Sequence, residues 1–415
     1  MFQRLQYIQK LVSWKDKQVI KIITGIRRSG KSTLFKLYQE KLLSEGVGKS
    51  QIININLEDP NYHNLLDWKI LFDYVQSKLL NDKKNYVFLD EIQNVKDFQR
   101  AADGLFIKGN VDLYLTGSNS HFQSGQWATM LAGRYIELHI LPLSFKEYND
   151  IFDKDQDKSS LLQQYLRFSG FPYVAQMIVQ NNVQNLSLQI QEYISGIYNS
   201  IVLKDVGEHK KVQDISRLER VIRFMADNIG NLTSIKKISD IMSSEGFKIH
   251  SQTLENYIDA LCDSYIFYKV QRYDIKGKNL LRTQDKYYLS DIGLRYYLLG
   301  DKDCDSGRIL ENIVYLELIR RGFKVYVGKF DIYDKKDAKM KSAEIDFVVE
   351  DVEGVEYYQV TQTMLNENTK QRELTSLMTL KDNYKKTILT ADTPFVKSYE
   401  GIIVKNILNW LLEQI

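Results

Sequence analysis

Proline is nearly missing from this chain, with 4 residues among 415. That scarcity argues against proline-rich linkers and suits a helix-rich protein. Cysteine is rarer still: only Cys262 and Cys304 occur, in no CxxC spacing. The pair excludes a disulfide scaffold and predicts two free thiols in a reducing compartment. No apolar run approaches the ~20 residues that a membrane helix requires. Residues 1–17 are amphipathic and charged, without the apolar core of a secretory signal. Together these absences predict a cytoplasmic protein with no membrane partner. An excess of one charge is lacking too. Lysine and arginine number 56 against 53 acids, leaving +3, which neither supports nor excludes a nucleic-acid partner.

What is present is ordinary for a globular chain, at 44% hydrophobic and 26% charged residues. The length exceeds what one core usually supports, so several domains are expected. Short apolar runs at 19–24, 51–57, 86–89 and 112–116 alternate with helix-like stretches at 31–43, 68–80 and 98–106. Residues 136–141 offer a further strand. This alternation predicts a parallel sheet with helices packed on it. A polar stretch at 153–160 marks a boundary, and a helical region interrupted at Gly170-Phe171-Pro172 follows it. No internal repeat or low-complexity tract is evident.

Residues 25–32, Gly-Ile-Arg-Arg-Ser-Gly-Lys-Ser, fit the phosphate-loop pattern G-x-x-x-x-G-K-[ST]. Glycine allows the tight turn that aims successive amides at an anion. The helix opening at Lys31 adds its positive end. Lys31 is expected on the β- and γ-phosphates and Ser32 on magnesium, with Gly25, Arg28, Ser29, Gly30 and Thr33 completing the cradle. A chance match in a chain of this length is on the order of 1–2%. The strand before and helix after supply the required setting. Next, Tyr86-Val-Phe-Leu-Asp90-Glu91 ends an apolar strand in two acids. Asp90 is the candidate magnesium ligand, and Glu91 the candidate base that orients or deprotonates water. If the strand ending at Thr116 lies between these two, then Thr116, Ser118 or Asn119 can reach the γ-phosphate or its water; a plain turn explains those residues equally well. Arg134 is the candidate cation for the γ-phosphate, in cis or as a finger into a neighbouring subunit.

These signals, in this order, resemble AAA-type P-loop ATPases. The segments Ile23-Thr24-Gly25-Ile26-Arg27-Arg28, Asp90-Glu91-Ile92-Gln93, Leu115-Thr116-Gly117-Ser118, Leu131-Ala132-Gly133-Arg134-Tyr135, Leu141-Pro142-Leu143-Ser144-Phe145 and Gly170-Phe171-Pro172 resemble one large prokaryotic family in particular. That family joins an N-terminal ATPase, related to the archaeal ATPases, to a C-terminal domain of unknown function. The resemblance covers essentially the whole chain. It implies ATP and magnesium as cofactors, Lys31, Ser32, Asp90 and Glu91 as the nucleotide machinery, and a helical lid after residue 160. It also places a basic-acidic pair at Lys204-Asp205, which a solvated helix face explains as well.

Residues 234–242 and 251–262 read as helices, followed by strands at 265–274 and 280–289, a winged-helix pattern. Ser251, Gln252, Thr253 and Asn256 could face DNA and Lys276, Lys278 and Arg282 could form a basic wing, while Glu255 and Asp259 would repel phosphates. A protein-docking winged helix fits as well. The last segment runs helix, three strands, helix, strand, an order that resembles the restriction-endonuclease-like fold. Glu311 and Asp346 match two of the acids such nucleases place around magnesium, but Gln359-Val360-Thr361 stands where Glu-x-Lys belongs. Nuclease activity is therefore not expected.

The fold class expected is α/β: a P-loop AAA-type parallel sheet (1–152), a helical lid (153–228), a winged helix (229–300) and a restriction-endonuclease-like α/β domain (301–415). The function expected is magnesium-dependent ATP binding and hydrolysis, used as a nucleotide-driven switch on a protein or DNA partner. An ATP-gated nucleic-acid-processing protein and a non-hydrolysing ATP or ADP regulator are the alternatives. Oligomeric state is left open.

Overall fold

The structure, a computed structural model, describes residues 3–118, 131, 133–152, 155–180, 186–208, 214–244, 246–281, 284–300, 305–334, 339–392 and 397–413. By internal contacts the chain divides into two units, Met1–Pro142 with Asp263–Tyr265, and Leu143–Cys262 with Ile266–Ile415.

The first unit is the expected alternation. Its strands are β1 (Ile20–Thr24), β2 (Ile52–Asn56), β3 (Asn85–Asp90), β4 (Val111–Thr116) and β5 (Tyr135–His139). All pair in parallel, in the order β2-β3-β4-β1-β5. Side chains alternate across a strand, and β1 obeys this. Ile20 and Ile22 enter one core with the helices Trp68–Lys78 and Phe98–Phe106. Ile23 enters the other, with Leu34, Phe35 and Tyr38 of the helix Lys31–Ser44. Lys21 interrupts the apolar run, yet it is fully buried and paired with Asp112, which also accepts a hydrogen bond from the Tyr114 hydroxyl at 2.8 Å. Because β4 separates β1 from β3, Thr116 lies between the phosphate loop and the Asp90-Glu91 pair, which was the condition set for its role.

The second unit opens with the helices Phe145–Asn149, Lys158–Phe168, Pro172–Gln180 and Ser187–Ser200, continues through a π-helical stretch Ile201–Glu208, and reaches Ile215–Asp227. The interruption at Gly170 has a definite anchor. Buried Asp291 accepts the amides of Gly170 at 2.7 Å and Gly293 at 2.8 Å. Burial pushes its carboxyl up to about 6, even though those amides favour the charged form. The Lys204-Asp205 pair is split, with Lys204 exposed and Asp205 buried.

Helices Ile235–Ser244 and Ser251–Asp263 follow as read. The ribbon after them differs from the reading. Four short strands replace two: β6 (Phe267–Val270), β7 (Arg272–Asp274), β8 (Asn279–Leu280) and β9 (Lys286–Leu289). β6 pairs with β9, whereas β7 leaves to run parallel to β10 (Lys324–Asp334). The physical reason is hydrogen bonding at a sheet edge. The Val327 amide donates to the Gln271 carbonyl at 3.0 Å, and the Ile275 amide donates to the Lys329 carbonyl at 2.9 Å. The wing is thus part of a mixed eight-stranded sheet that includes β11 (Lys339–Glu350), β12 (Val355–Thr361), β13 (Lys385–Thr390), β14 (Lys397–Tyr399) and β15 (Ile402–Asn406), in the order β14-β15-β13-β12-β11-β10-β7-β8. β14 and β15 are additional to the strands read from sequence. Among the described residues no helix is long and apolar enough to cross a membrane.

Candidate functional site

The loop between β1 and the helix Lys31–Ser44 turns as an anion cradle must. Gly25 has φ 143° and Gly30 φ 102°, the region that side chains disfavour. A Cβ on Gly25 would lie 2.2 Å from the Ile140 carbonyl oxygen, so backbone closure also demands glycine. No side chain caps the helix that follows, which leaves its first amides to the loop's concavity. Lys31 is buried and donates to the carbonyls of Gly25 at 3.0 Å and Ile26 at 3.3 Å, with a Glu91 oxygen 3.9 Å away. The hydroxyl of Ser29 is fully buried, with no hydrogen-bond partner among the described residues. A buried orphan costs free energy unless a ligand meets it. Arg28 is exposed, and Arg27 pairs with Glu58 at 3.1 Å.

The acids meet this loop from β3. Asp90 accepts hydrogen bonds from the hydroxyls of Ser32 and Thr116, and Thr116 in turn accepts the Glu91 amide at 2.8 Å. Burial raises the Asp90 carboxyl above its ordinary value; the two hydroxyls oppose that rise, and Glu91 adds to it. Glu91 adopts a left-handed backbone, φ 55°, unusual for a side chain of its size and a mark of functional sites. Gln93, whose part the sequence reading missed, holds Glu91: its amide nitrogen donates to the Glu91 carboxylate at 2.5 Å and reaches the Ser118 hydroxyl at 3.4 Å. Its own carbonyl oxygen is buried without a partner among the described residues. The signal in sequence was only its place in Asp90-Glu91-Ile92-Gln93.

The loop, Ser32, Asp90, Glu91, Thr116 and Ser118 are therefore gathered at one sheet edge. Thr33 sits in the first turn of the helix, half-buried. Asn119 lies outside the described residues. Arg134 is not gathered. Its carbonyl accepts the Ile20 amide at 2.8 Å, which fixes it at the amino end of β1, opposite the edge that carries the loop. Its guanidinium pairs with Asp103 and lies over the Phe106 ring. A contact with the γ-phosphate of its own site is ruled out by that register; five residues of strand span ~15 Å.

The residues suspected in the second unit also come together, with a different result. Buried Lys286, on β9, binds Glu311 at 2.8 Å and Glu344 at 2.7 Å. Tyr288 donates to Glu311 at 2.5 Å. Asp346 accepts the Val360 amide at 2.8 Å, and its own amide donates to Gln359 at 3.2 Å. Burial opposes the Lys286 ammonium, but Glu311, Glu344 and Asp346 outweigh it and hold Lys286 above its ordinary value. Burial, then repulsion from Glu311, drives Asp346 well up toward its neutral form. Among the described residues no group of three or more His, Cys, Asp or Glu is arranged to hold a metal ion. On the helix Ser251–Asp263, Ser251, Gln252 and Asn256 are exposed, beside exposed Glu255 and Asp259. Lys276 donates to the Asp331 carbonyl, and Arg282 lies outside the described residues.

A parallel sheet with a phosphate loop, and acids on a strand one removed from it, defines a P-loop ATPase fold. Comparison with known proteins agrees. A family model described as an AAA domain matches residues 17–149, and one described as a domain of unknown function matches 159–305. An uncharacterized protein of Haemophilus influenzae is 37% identical over 419 aligned residues, covering 100% of this chain and 99% of the relative. One of Methanocaldococcus jannaschii is 31% identical over 367 residues, covering 86% and 77%. The Walker-type ATPase of Pyrococcus abyssi superposes with a TM-score of 0.51 at 16% identity, covering 72% of this chain and 96% of that one; the two share a fold. The chain belongs to the AAA-type P-loop ATPases that carry a C-terminal domain of unknown function.

Proposed function

We propose that this protein binds ATP with magnesium at the 25–32 loop and hydrolyses it as a nucleotide-driven switch. The loop amides and Lys31 bind the triphosphate, and the Ser29 hydroxyl gains the partner it lacks. Ser32 and Asp90 are the residues that would hold magnesium, which when bound neutralises charge on the β- and γ-phosphates. Thr116 fixes Asp90 and the Glu91 backbone together. Glu91, steered by Gln93 and Ser118, takes a proton from water at the γ-phosphate or orients that water.

The observation that carries this reading is the Glu91 carboxylate 3.9 Å from the Lys31 ammonium. A pure nucleotide holder gains nothing from an acid there. The segments 153–228 and 229–300 serve in this proposal as lid and winged helix, the latter offering its exposed face to a protein partner rather than to DNA, because Glu255 and Asp259 share that face. Cleavage of nucleic acid is not part of the proposal, since Lys286 is committed to two carboxylates. Arg134 is left for a neighbouring subunit.

The test is phosphate release by the full chain, with and without magnesium, beside Glu91→Gln. The expected loss of turnover in that variant is roughly 100-fold or more, with ATP binding by calorimetry kept within about threefold. Normal turnover in Glu91→Gln would remove the residue from its role.

A further inference from the structure

Phosphoryl transfer needs positive charge where the oxygens around the γ-phosphorus gather negative charge, and an arginine placed there speeds it by roughly 1,000-fold or more. Lys31 is one cation at the loop. Arg134 cannot be a second within its own chain, because its pairing with β1 sets it at the far edge of the sheet. The stretch that follows Ser118, residues 119–132, contains no lysine or arginine to replace it. The phosphate loop itself carries two further cations, Arg27 and Arg28.

The two arginines differ. Arg27 pairs with Glu58 at 3.1 Å. Arg28 is exposed, and among the described residues its guanidinium makes no ion pair or hydrogen bond. Residues 119–132 contain no aspartate or glutamate that could claim it. Its backbone is left-handed, φ 70°, like Gly25 and Gly30 in the same loop, and it is the one of these three that is not glycine. In that region a Cβ crowds the backbone, so glycine would make the turn with less strain. An exposed arginine adds strain there without adding burial, so what the position gains is the guanidinium itself, as strained side chains at functional sites do. A guanidinium keeps its charge at any working pH and presents a planar fork that meets two phosphate oxygens at once.

We propose that Arg28 is a catalytic cation built into the phosphate loop, which closes on the γ-phosphate of the ATP that its own loop holds. The proposal rests on the hydrolysis reading above. A water oxygen bonds to the γ-phosphorus while Glu91 takes a proton from that water. The bond from the γ-phosphorus to the bridging oxygen breaks, leaving ADP and inorganic phosphate. Arg28 neutralises the charge that gathers on the γ-phosphate and bridging oxygens during this exchange. A single chain then carries this charge without a neighbour.

The test is Arg28→Gly in the full chain, read in three ways beside the parent and Glu91→Gln. Phosphate release is expected to fall roughly 100-fold or more, while calorimetry finds ATP affinity within about threefold of the parent. Aluminium fluoride, which stands in for the transferring phosphoryl group, is expected to tighten ADP binding in the parent, and Arg28→Gly is expected to lose that gain by roughly tenfold or more. The thermal midpoint is expected to hold or rise, because glycine suits φ 70° and the lost side chain is exposed. A lowered midpoint would make Arg28 a support of the loop and overturn the proposal. Turnover at the parent rate in Arg28→Gly, with turnover lost in Glu91→Gln, would overturn this proposal alone and leave the hydrolysis reading standing. A parent that binds ATP but releases no phosphate and gains nothing from aluminium fluoride would overturn both. Mixing Arg28→Gly with Glu91→Gln is expected to restore nothing; recovered turnover would put Arg28 in a neighbour's site and overturn its action within one chain.

Discussion

Lys31 and Lys286 are both buried lysines facing carboxylates, and they differ in what surrounds the charge. Lys31 rests on two backbone carbonyls, with Glu91 at 3.9 Å and a partnerless Ser29 hydroxyl in the same loop. Those contacts are weak enough for a triphosphate to replace. Lys286 instead binds two carboxylates at 2.8 and 2.7 Å, with Asp346 close behind. Its ammonium is held between two carboxylates, and the third acid is driven toward its neutral form. The same residue types meet in two ways: a lysine resting on backbone carbonyls beside a carboxylate, and a lysine held directly between two carboxylates as an ion cluster.

The comparison breaks most visibly at Lys286. Removing one partner of a buried ion cluster strands the others, so Lys286→Ala is expected to lower unfolding stability by about 3–5 kcal/mol. Urea unfolding measures this, and an unchanged midpoint would mean the cluster is not structural. A smaller effect sharpens the other half. Gln93→Ala frees the Glu91 carboxylate, and kcat is expected to fall about tenfold, ~1.4 kcal/mol, with KM nearly constant. A rise in KM at constant kcat would make Gln93 a binding residue instead. The smallest effect is expected at Arg134. Its pair with Asp103 is partly solvent-exposed, so Arg134→Ala should cost about 1 kcal/mol or less in stability. ATPase turnover of a chain dilute enough to be alone should stay at the parent rate, and a loss there would contradict the register that places Arg134 at the far edge.

The contrast also marks what a sequence reveals. The phosphate loop was legible because its chemistry is local: glycines, lysine and serine at fixed spacing between a strand and a helix. Asp90 and Glu91 were legible because a strand's end places them at the sheet's edge. Gln93 was not, since its reach depends on the left-handed turn at Glu91. The cis half of the Arg134 reading was not decidable from sequence, because the parallel pairing of β5 with β1, which sets Arg134 at the edge away from its own loop, is long-range. Lys286 was invisible for another reason. It reaches Glu311 and Glu344 from a strand 25 and 58 residues away in sequence, and no local pattern encodes that meeting. The wing was read as an isolated hairpin because its bonding to the edge of β10 is likewise long-range.

The most direct test of the central claim is calorimetric titration of ATP, with magnesium, into the full chain and into Lys31→Ala. The account predicts one ATP per parent chain and binding at least about 100-fold weaker in the variant. Unchanged affinity in Lys31→Ala, or no heat of binding in the parent at millimolar ATP, would contradict it.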